Sequence, residues 1–409
     1  MKKRNKNIFS GIFLQFILLI CTNAIATSNP QTVTIQLKWF HQFQFAGYYA
    51  ALEKGFYAKE GLNVVLKERD PNKGNIQSVL DGDAEYGVAD AGLILTRLRG
   101  YPVVLLKQIF QHSPLVFLTL KQSGITTPYD LINKTVMIDS KNNSDAPLVA
   151  MLLQTIGDLD DIKTVQQSFR LDDLISGQVD ALSIYITNEP FTLKQRGIEY
   201  SIINPKSYGI DFYGDNFFTT ESEIANFPER IKRIIRATLK GWQYALDNPD
   251  EIIDLIIRKY KPKLNREKLA YEARLTSLMV LSDVEPLGFV TRDRYKQIVE
   301  TYVKAGITKS NQDWDGFLFQ NPDNRFNGQL LNTLSHTEIK WLAEHPTIDV
   351  GIINAWPPFG FLDQDGLLNG IGVNLINLLN KRLANVLVAK PGDWSVIYNA
   401  VKHKQLAAA

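Results

Sequence analysis

The sequence predicts an α/β protein of two similar lobes with mostly parallel sheets, followed by a partial second α/β unit. Three observations predict it. Strand-like and helix-like runs alternate from residue 32 onward, the order that builds parallel sheets through helical crossovers. A nine-residue pattern occurs twice, at Leu80-Asp-Gly-Asp-Ala-Glu-Tyr-Gly-Val88 and Ile175-Ser-Gly-Gln-Val-Asp-Ala-Leu-Ser183. Each copy reads as a helix end, a glycine stop and a strand entered through an acid. A strand running into an aromatic turn and then a helix also occurs twice, at Trp39–Tyr49 and at Asn354–Phe359. One α/β unit per lobe leaves a cleft between them, which a hinge can close on a ligand.

The totals bound what the chain can be. Its 409 residues suffice for two or three domains, and 45% hydrophobic with 22% charged residues is ordinary for globular protein. Four of the 45 basic residues, Lys2, Lys3, Arg4 and Lys6, precede an apolar run from Ile8 to Ile20 and the small-residue site Ala24-Ile-Ala26. That order predicts a secretory signal over residues 1–26. The apolar run falls short of the ~20 residues a bilayer span needs. With those four set aside, 41 basic residues face 43 acidic ones. No basic stripe is left, which argues against a nucleic-acid partner. The single cysteine, Cys21, lies inside the leader. The mature chain is therefore expected to have neither disulfides nor thiol chemistry, which fits a bacterial periplasmic protein.

The first strand, Val33–Lys38, leads into Trp-Phe-His-Gln-Phe-Gln-Phe-Ala-Gly-Tyr-Tyr, residues 39–49, and then a helix. Open α/β sheets hold ligands outside the carboxyl ends of their strands. Six aromatics, one imidazole and two amides in one such turn suit a flat, polar small molecule. About half of the rings are expected in the core, since large aromatics are mostly buried. Trp39, His41 and Gln42 are the candidates to face a ligand, with Tyr48 from the same stretch. The strand Tyr86–Ala89 ends at Asp90, and Pro102–Leu106 leads to Gln111. In the second lobe, strand Thr135–Ile138 is followed by a polar loop holding Asn143 and Ser144, then a helix opened by Ala146-Pro147. That helix start suits either an anion or plain capping by Ser144 or Asp145. Strand Val179–Ile186 carries Tyr185 at its lip, and the turn Thr187-Asn-Glu-Pro190 puts Asn188 and Glu189 at a carboxyl strand end. Glu189 there either faces the cleft or serves the helix start.

Residues 204–220 read as the return crossing. Helices follow at Pro228–Leu246, Pro249–Tyr260, Arg266–Leu278 and Arg292–Ala305. The expected domain covers residues 32–325, with lobe one at about 32–118 and 210–325 and lobe two at about 119–209. Residues 335–409 read as the truncated start of another domain. Ser335 and Glu338 form a capping box on its first helix. A strand, a turn and a helix of this length are expected not to fold stably alone.

The pieces Leu37-Lys-Trp-Phe-His, Ala46-Gly-Tyr-Tyr-Ala-Ala, Lys54-Gly-Phe-Tyr-Ala-Lys-Glu-Gly-Leu, Gly82–Gly92 and Gly100-Tyr-Pro-Val-Val resemble the thiamine-pyrimidine family. That family contains precursor-binding proteins of ABC transporters and a pyrimidine synthase. The resemblance implies a two-lobed periplasmic binding-protein fold, type II-like, that captures a small heteroaromatic ligand. Ile109–Val116, Ser183–Phe191 and Tyr208–Asp215 resemble the subgroup serving as sensors in diguanylate cyclases and hybrid histidine kinases. Residues from His336 resemble the opening of an amino-acid-type solute-binding domain. The implied partners are a small-molecule ligand and a membrane sensor kinase, cyclase or ABC permease. The synthase branch needs a Schiff-base lysine, a donated histidine and a cysteine-rich stretch. Here Ala89-Asp-Ala91 and Leu93-Ile-Leu95 stand at the matching places. No catalytic residue, metal site or cofactor is therefore expected. The alternatives are a synthase-type enzyme and a protein-interaction module with an empty cleft.

Overall fold

The computed structural model describes residues 30–139, 143–261, 263–310, 312–320, 341–342, 344–383 and 386–408. The expected leader and the Ser335–Glu338 capping box lie outside them.

Two five-stranded sheets form two lobes. The first holds β1 (Gln31–Gln36), β2 (Leu62–Lys67), β3 (Tyr86–Ala89), β4 (Val103–Gln108) and β10 (Asn216–Thr220), in the order β2-β1-β3-β10-β4. The second holds β5 (Leu115–Leu120), β6 (Thr135–Ile138), β7 (Lys163–Gln166), β8 (Ala181–Tyr185) and β9 (Tyr200–Ile203), in the order β7-β6-β8-β5-β9. Each sheet has a single strand running against the other four, β10 in one and β5 in the other. The two orders superpose strand for strand, so the repeated nine-residue pattern marks equivalent places. Gly82 and Gly177 end the two helices at φ 80° and 73°, a left-handed conformation that costs glycine nothing. β3 and β8 follow them at the same position of their sheets.

The second lobe begins at β5, Leu115, a few residues before the expected 119. The reason is its antiparallel pairing with β8 and β9, which needs Leu115–Leu118 in the second sheet. Two chain crossings, 109–114 and 204–215, run side by side, with Ser113 N–H donating to Phe212 C=O at 2.9 Å and Gly214 N–H to Phe110 C=O at 3.0 Å.

The first lobe is backed by helices Ala46–Glu53 and Pro228–Asp247. They approach so closely that a Cβ on Gly241 would stand 2.2 Å from the Gly47 carbonyl oxygen. Glycine at the crossing is therefore what seats the first helix, and with it the turn that precedes it. A separate apolar cluster joins Leu93 and Phe218 of the first lobe to Phe117, Val136 and Leu148 of the second. Val116, Leu118, Met137, Leu182 and Leu193 form the private core of lobe two.

The unit from residue 348 pairs strand Ile348–Ile353 with Leu387–Gly392 in parallel, beside the helix Ile371–Leu383. Among its described residues, Ile376 and Ile397 are the only buried hydrophobic side chains. No helix among the described residues is long and apolar enough to cross a membrane.

Candidate functional site

A cleft of about 280 Å³ lies between the lobes. The carboxyl ends of β1 and β3 line it from the first lobe, and those of β6, β7 and β8 from the second. Its floor is a charged knot. Lys38, the last residue of the strand expected from sequence and two residues past the observed β1, stands 2.5 Å from Asp90 Oδ1 and 2.6 Å from Asp215 Oδ1. Tyr185 of the second lobe hydrogen-bonds both Lys38 and Asp90. The two copies of the repeated pattern thus meet across the cleft through their strand ends. Burial works against the Lys38 charge, but Asp215 and Asp90 outweigh it and hold the ammonium above its ordinary pKa. Burial lifts Asp215 to about 6 against the pull of Lys38, so it is ionised at neutral pH. Burial, then Asp90 and Asp215, keep Tyr185 a phenol well beyond its usual range, so it donates to Asp90.

The mouth is aromatic. Trp39 meets Phe169 of the second lobe at 4.8 Å between ring centroids, tilted 57°. The Arg69 guanidinium lies 4.1 Å from the Phe169 ring and 4.9 Å from Trp39. Phe169 has φ 61°, which a bulky side chain adopts only where surroundings impose it. They do: Gln167 accepts its N–H at 2.9 Å, and Gln167 is itself fixed by donating to Ser183.

Of the eleven sequence candidates, Trp39, Gln42, Asp90, Ser144, Tyr185, Asn188 and Glu189 line the cleft together. Four do not. Tyr48 is fully buried between Phe217 and Trp242, on the core side of the first helix. His41 sits beside the cleft, its Nδ1 2.9 Å from the Tyr49 hydroxyl and its ring against Tyr260. Gln111 donates to the Phe289 carbonyl in the crossing segment. Asn143 accepts from Arg99, and its carbonyl packs on Gly92 so closely that a Cβ there would be 2.2 Å away. All four are consumed by structure within or between the lobes. Phe43, Phe45 and Tyr49 are core as well.

Sequence reasoning missed Lys38, Gln44, Arg69, Asp139, Asp145, Gln167, Phe169 and Ser183, which also line the cleft, and Asp215 beneath it. At the helix Ala146–Ile156 neither Ser144 nor Asp145 makes a side-chain cap. Asp145 instead accepts the Asp139 N–H. Asp70, Asp90, Asp139, Asp145 and Glu189 line the cleft against Lys38, Arg69 and Lys73; with the acids in excess and Lys38 already paired, the surroundings favour N–H donors over anions. Burial raises Glu189, which also accepts the Tyr185 N–H at 3.3 Å. Among the described residues no group of three or more His, Cys, Asp or Glu could hold a metal ion.

Asp145 gives a measurable pH effect. Burial, reinforced by Asp139 and Asp90, raises it to about 7. A carboxyl raised on folding contributes stability below its unfolded pKa, lost as pH climbs through the folded value. Asp145→Asn cannot ionise, so it escapes that loss. The melting temperature of the variant minus that of wild type is expected to rise between pH 5 and pH 8; a flat difference would show that Asp145 is not held neutral.

The two lobes, their strand orders and the cleft at the strand ends define a periplasmic binding-protein fold. The structure of the alkanesulfonate-binding protein SsuA from Xanthomonas axonopodis pv. citri bound to MOPS shares it, with a TM-score of 0.58 at 11% identity, over 71% of this chain and 99% of that one. The chain belongs to the NMT1/THI5-like family, whose profile matches residues 42–252. It is similar to the formylaminopyrimidine-binding protein of Halalkalibacterium halodurans, at 26% identity over 61% of this chain and 78% of that protein. It is also similar to the riboflavin-binding protein RibY of Chloroflexus aurantiacus, at 27% identity over 57% and 68%.

Proposed function

We propose that the protein is exported and captures a small, flat, amine-bearing heterocycle, of the aminopyrimidine class, as the binding domain of a sensory or uptake system. The observation that carries this reading is the composition of the cleft: an aromatic mouth over walls of carboxylate and amide acceptors. Rings stack on Trp39 and Phe169, and N–H groups meet Glu189 and its neighbours. The relative that binds a formylaminopyrimidine supports the class. The cavity of about 280 Å³ falls just below the ~300–1,000 Å³ typical of ligand pockets. That suits one or two rings better than a flavin.

The synthase-type reading fits the cleft less well. The lysine on its floor, Lys38, is held protonated by Asp215 and Asp90, and an ammonium is no nucleophile for an imine. Calorimetric titration with 4-aminopyrimidines, riboflavin and an alkanesulfonate decides the class. Saturable one-to-one binding of an aminopyrimidine, well above the other two, is expected. A folded protein that binds only the sulfonate or the flavin, or none of the three, overturns the reading.

A further inference from the structure

A chain of three amides crosses the cleft, and its direction is fixed at one end. Gln44 Nε2 donates to both oxygens of Asp215, at 3.0 and 2.8 Å. Gln42 Nε2 donates to Gln44 Oε1 at 2.7 Å. Asn188 Nδ2, from the other lobe, donates to Gln42 Oε1 at 3.4 Å, the longest link and the one that spans the lobes. The far end is Asn188 Oδ1, which is buried with no hydrogen-bond partner. Asn188 is only 9% exposed and lines the cleft.

The direction follows from chemistry. A primary amide can present either its NH2 or its oxygen to a neighbour. An ionised carboxylate accepts only, so the Gln44 group facing Asp215 is its NH2. The Gln44 oxygen then faces Gln42, which answers with its own NH2, and the same step repeats at Asn188. Reversing any one amide sets two oxygens or two NH2 groups against each other in a buried place. The turn is anchored separately, since Glu272 accepts the N–H of Phe43 at 3.0 Å and of Gln44 at 3.1 Å. With the turn held by Glu272, the amide chain runs on to orient Asn188.

We propose that Asp215, acting through Gln44 and Gln42, sets Asn188 Oδ1 as a fixed acceptor for an N–H of the bound ligand, and that this chain of positioning residues selects ligands with a donor there over ligands with an acceptor. The inference rests on the cleft being the ligand site. A ligand oxygen at that place would leave two acceptors facing each other without water. Leaving a buried acceptor unmatched costs roughly ten- to a hundredfold in affinity.

The test uses the purified chain, 4-amino-2-methylpyrimidine and its 4-methoxy counterpart, which has no tautomer that could supply an N–H. Wild type is expected to prefer the amino compound by about tenfold or more. Gln44→Met keeps the length of the side chain but breaks the relay, so Asn188 can turn its NH2 to the methoxy oxygen. The amino-over-methoxy ratio is expected to fall by about tenfold, mainly through tighter binding of the methoxy compound. A residue that merely holds the fold would weaken both ligands alike and leave the ratio unmoved. Should Gln44→Met lack a cooperative melt, Gln42→Met, one link nearer Asn188, carries the same expectation. An unchanged ratio in a folded variant overturns the relay alone; a wild type that binds neither compound overturns the cleft reading with it.

Discussion

Lys38→Met is expected to destabilise the protein by about 3–5 kcal/mol, the usual cost of removing one partner from a buried ion pair. Lys38 is the cation between Asp90 and Asp215, and Asp215 is almost wholly inaccessible. Methionine matches the length of the stem but leaves two carboxylates facing an apolar group. The loss should depend on pH in a definite direction. Burial already raises Asp215 to about 6 while Lys38 pulls it down, so without the ammonium it rises further. A carboxyl raised on folding gives stability at low pH and loses it as pH climbs through the folded value. The deficit of the variant against wild type is therefore expected to be small at pH 5 and large at pH 8. Urea titrations at the two pH values measure it. A deficit under about 1 kcal/mol at pH 8 would place Lys38 in the range of an exposed pair and remove it as the brace of the cleft floor.

The knot also shows where sequence reading stops. Lys38 looks like the last residue of a strand, and Asp215 like one polar residue in a return crossing. Their relation spans 177 positions and exists only because β1 and β10 flank β3 in one sheet. What was legible followed local pattern. The helix-end glycines Gly82 and Gly177, the strand-end positions of Asp90, Tyr185 and Glu189, and the split of the 39–49 stretch between core and cleft all follow from period and turn chemistry. The sharper error was within that stretch. His41 and Tyr48 have the right chemistry for a ligand, yet the helix that begins at Ala46 turns Tyr48 to the core, and Tyr49 and Tyr260 hold His41 aside. Phe169 could not be found in this way. It lies in a polar loop, and its place at the mouth depends on a left-handed backbone that no residue pattern around it demands. An acid set just before a strand centred on two phenylalanines, as Asp215 is before Asn216–Thr220, was the one overlooked signal with a physical meaning. A buried acid at a strand end needs a cation, and Lys38 is at the end of a strand in the same sheet.

Trp39→Ala and Glu189→Gln are each expected to weaken capture of a 4-aminopyrimidine by about one to two decades, but they should differ in kind. Trp39 forms one wall of the mouth against Phe169 and Arg69. Its removal takes away stacking worth about 0.5–1.5 kcal/mol beyond the area buried. Every planar ring should lose that alike, so amino and methoxy pyrimidines weaken together and their ratio holds. Glu189 is half-buried at the start of its helix, and burial has already raised it, so accepting a ligand N–H meets part of a cost that folding incurred. A charge-assisted bond of this kind is worth about 1.5–3 kcal/mol. Glutamine keeps the shape and one acceptor oxygen but no charge. Its loss should fall on the amino compound and spare the methoxy one, which never used the carboxylate. Calorimetry of both ligands against wild type and the two variants separates the outcomes. If the two substitutions shift the ratio equally, the walls and floor of the cleft do not divide their work as the geometry implies; if neither shifts any affinity while both proteins stay folded, the ligand binds elsewhere.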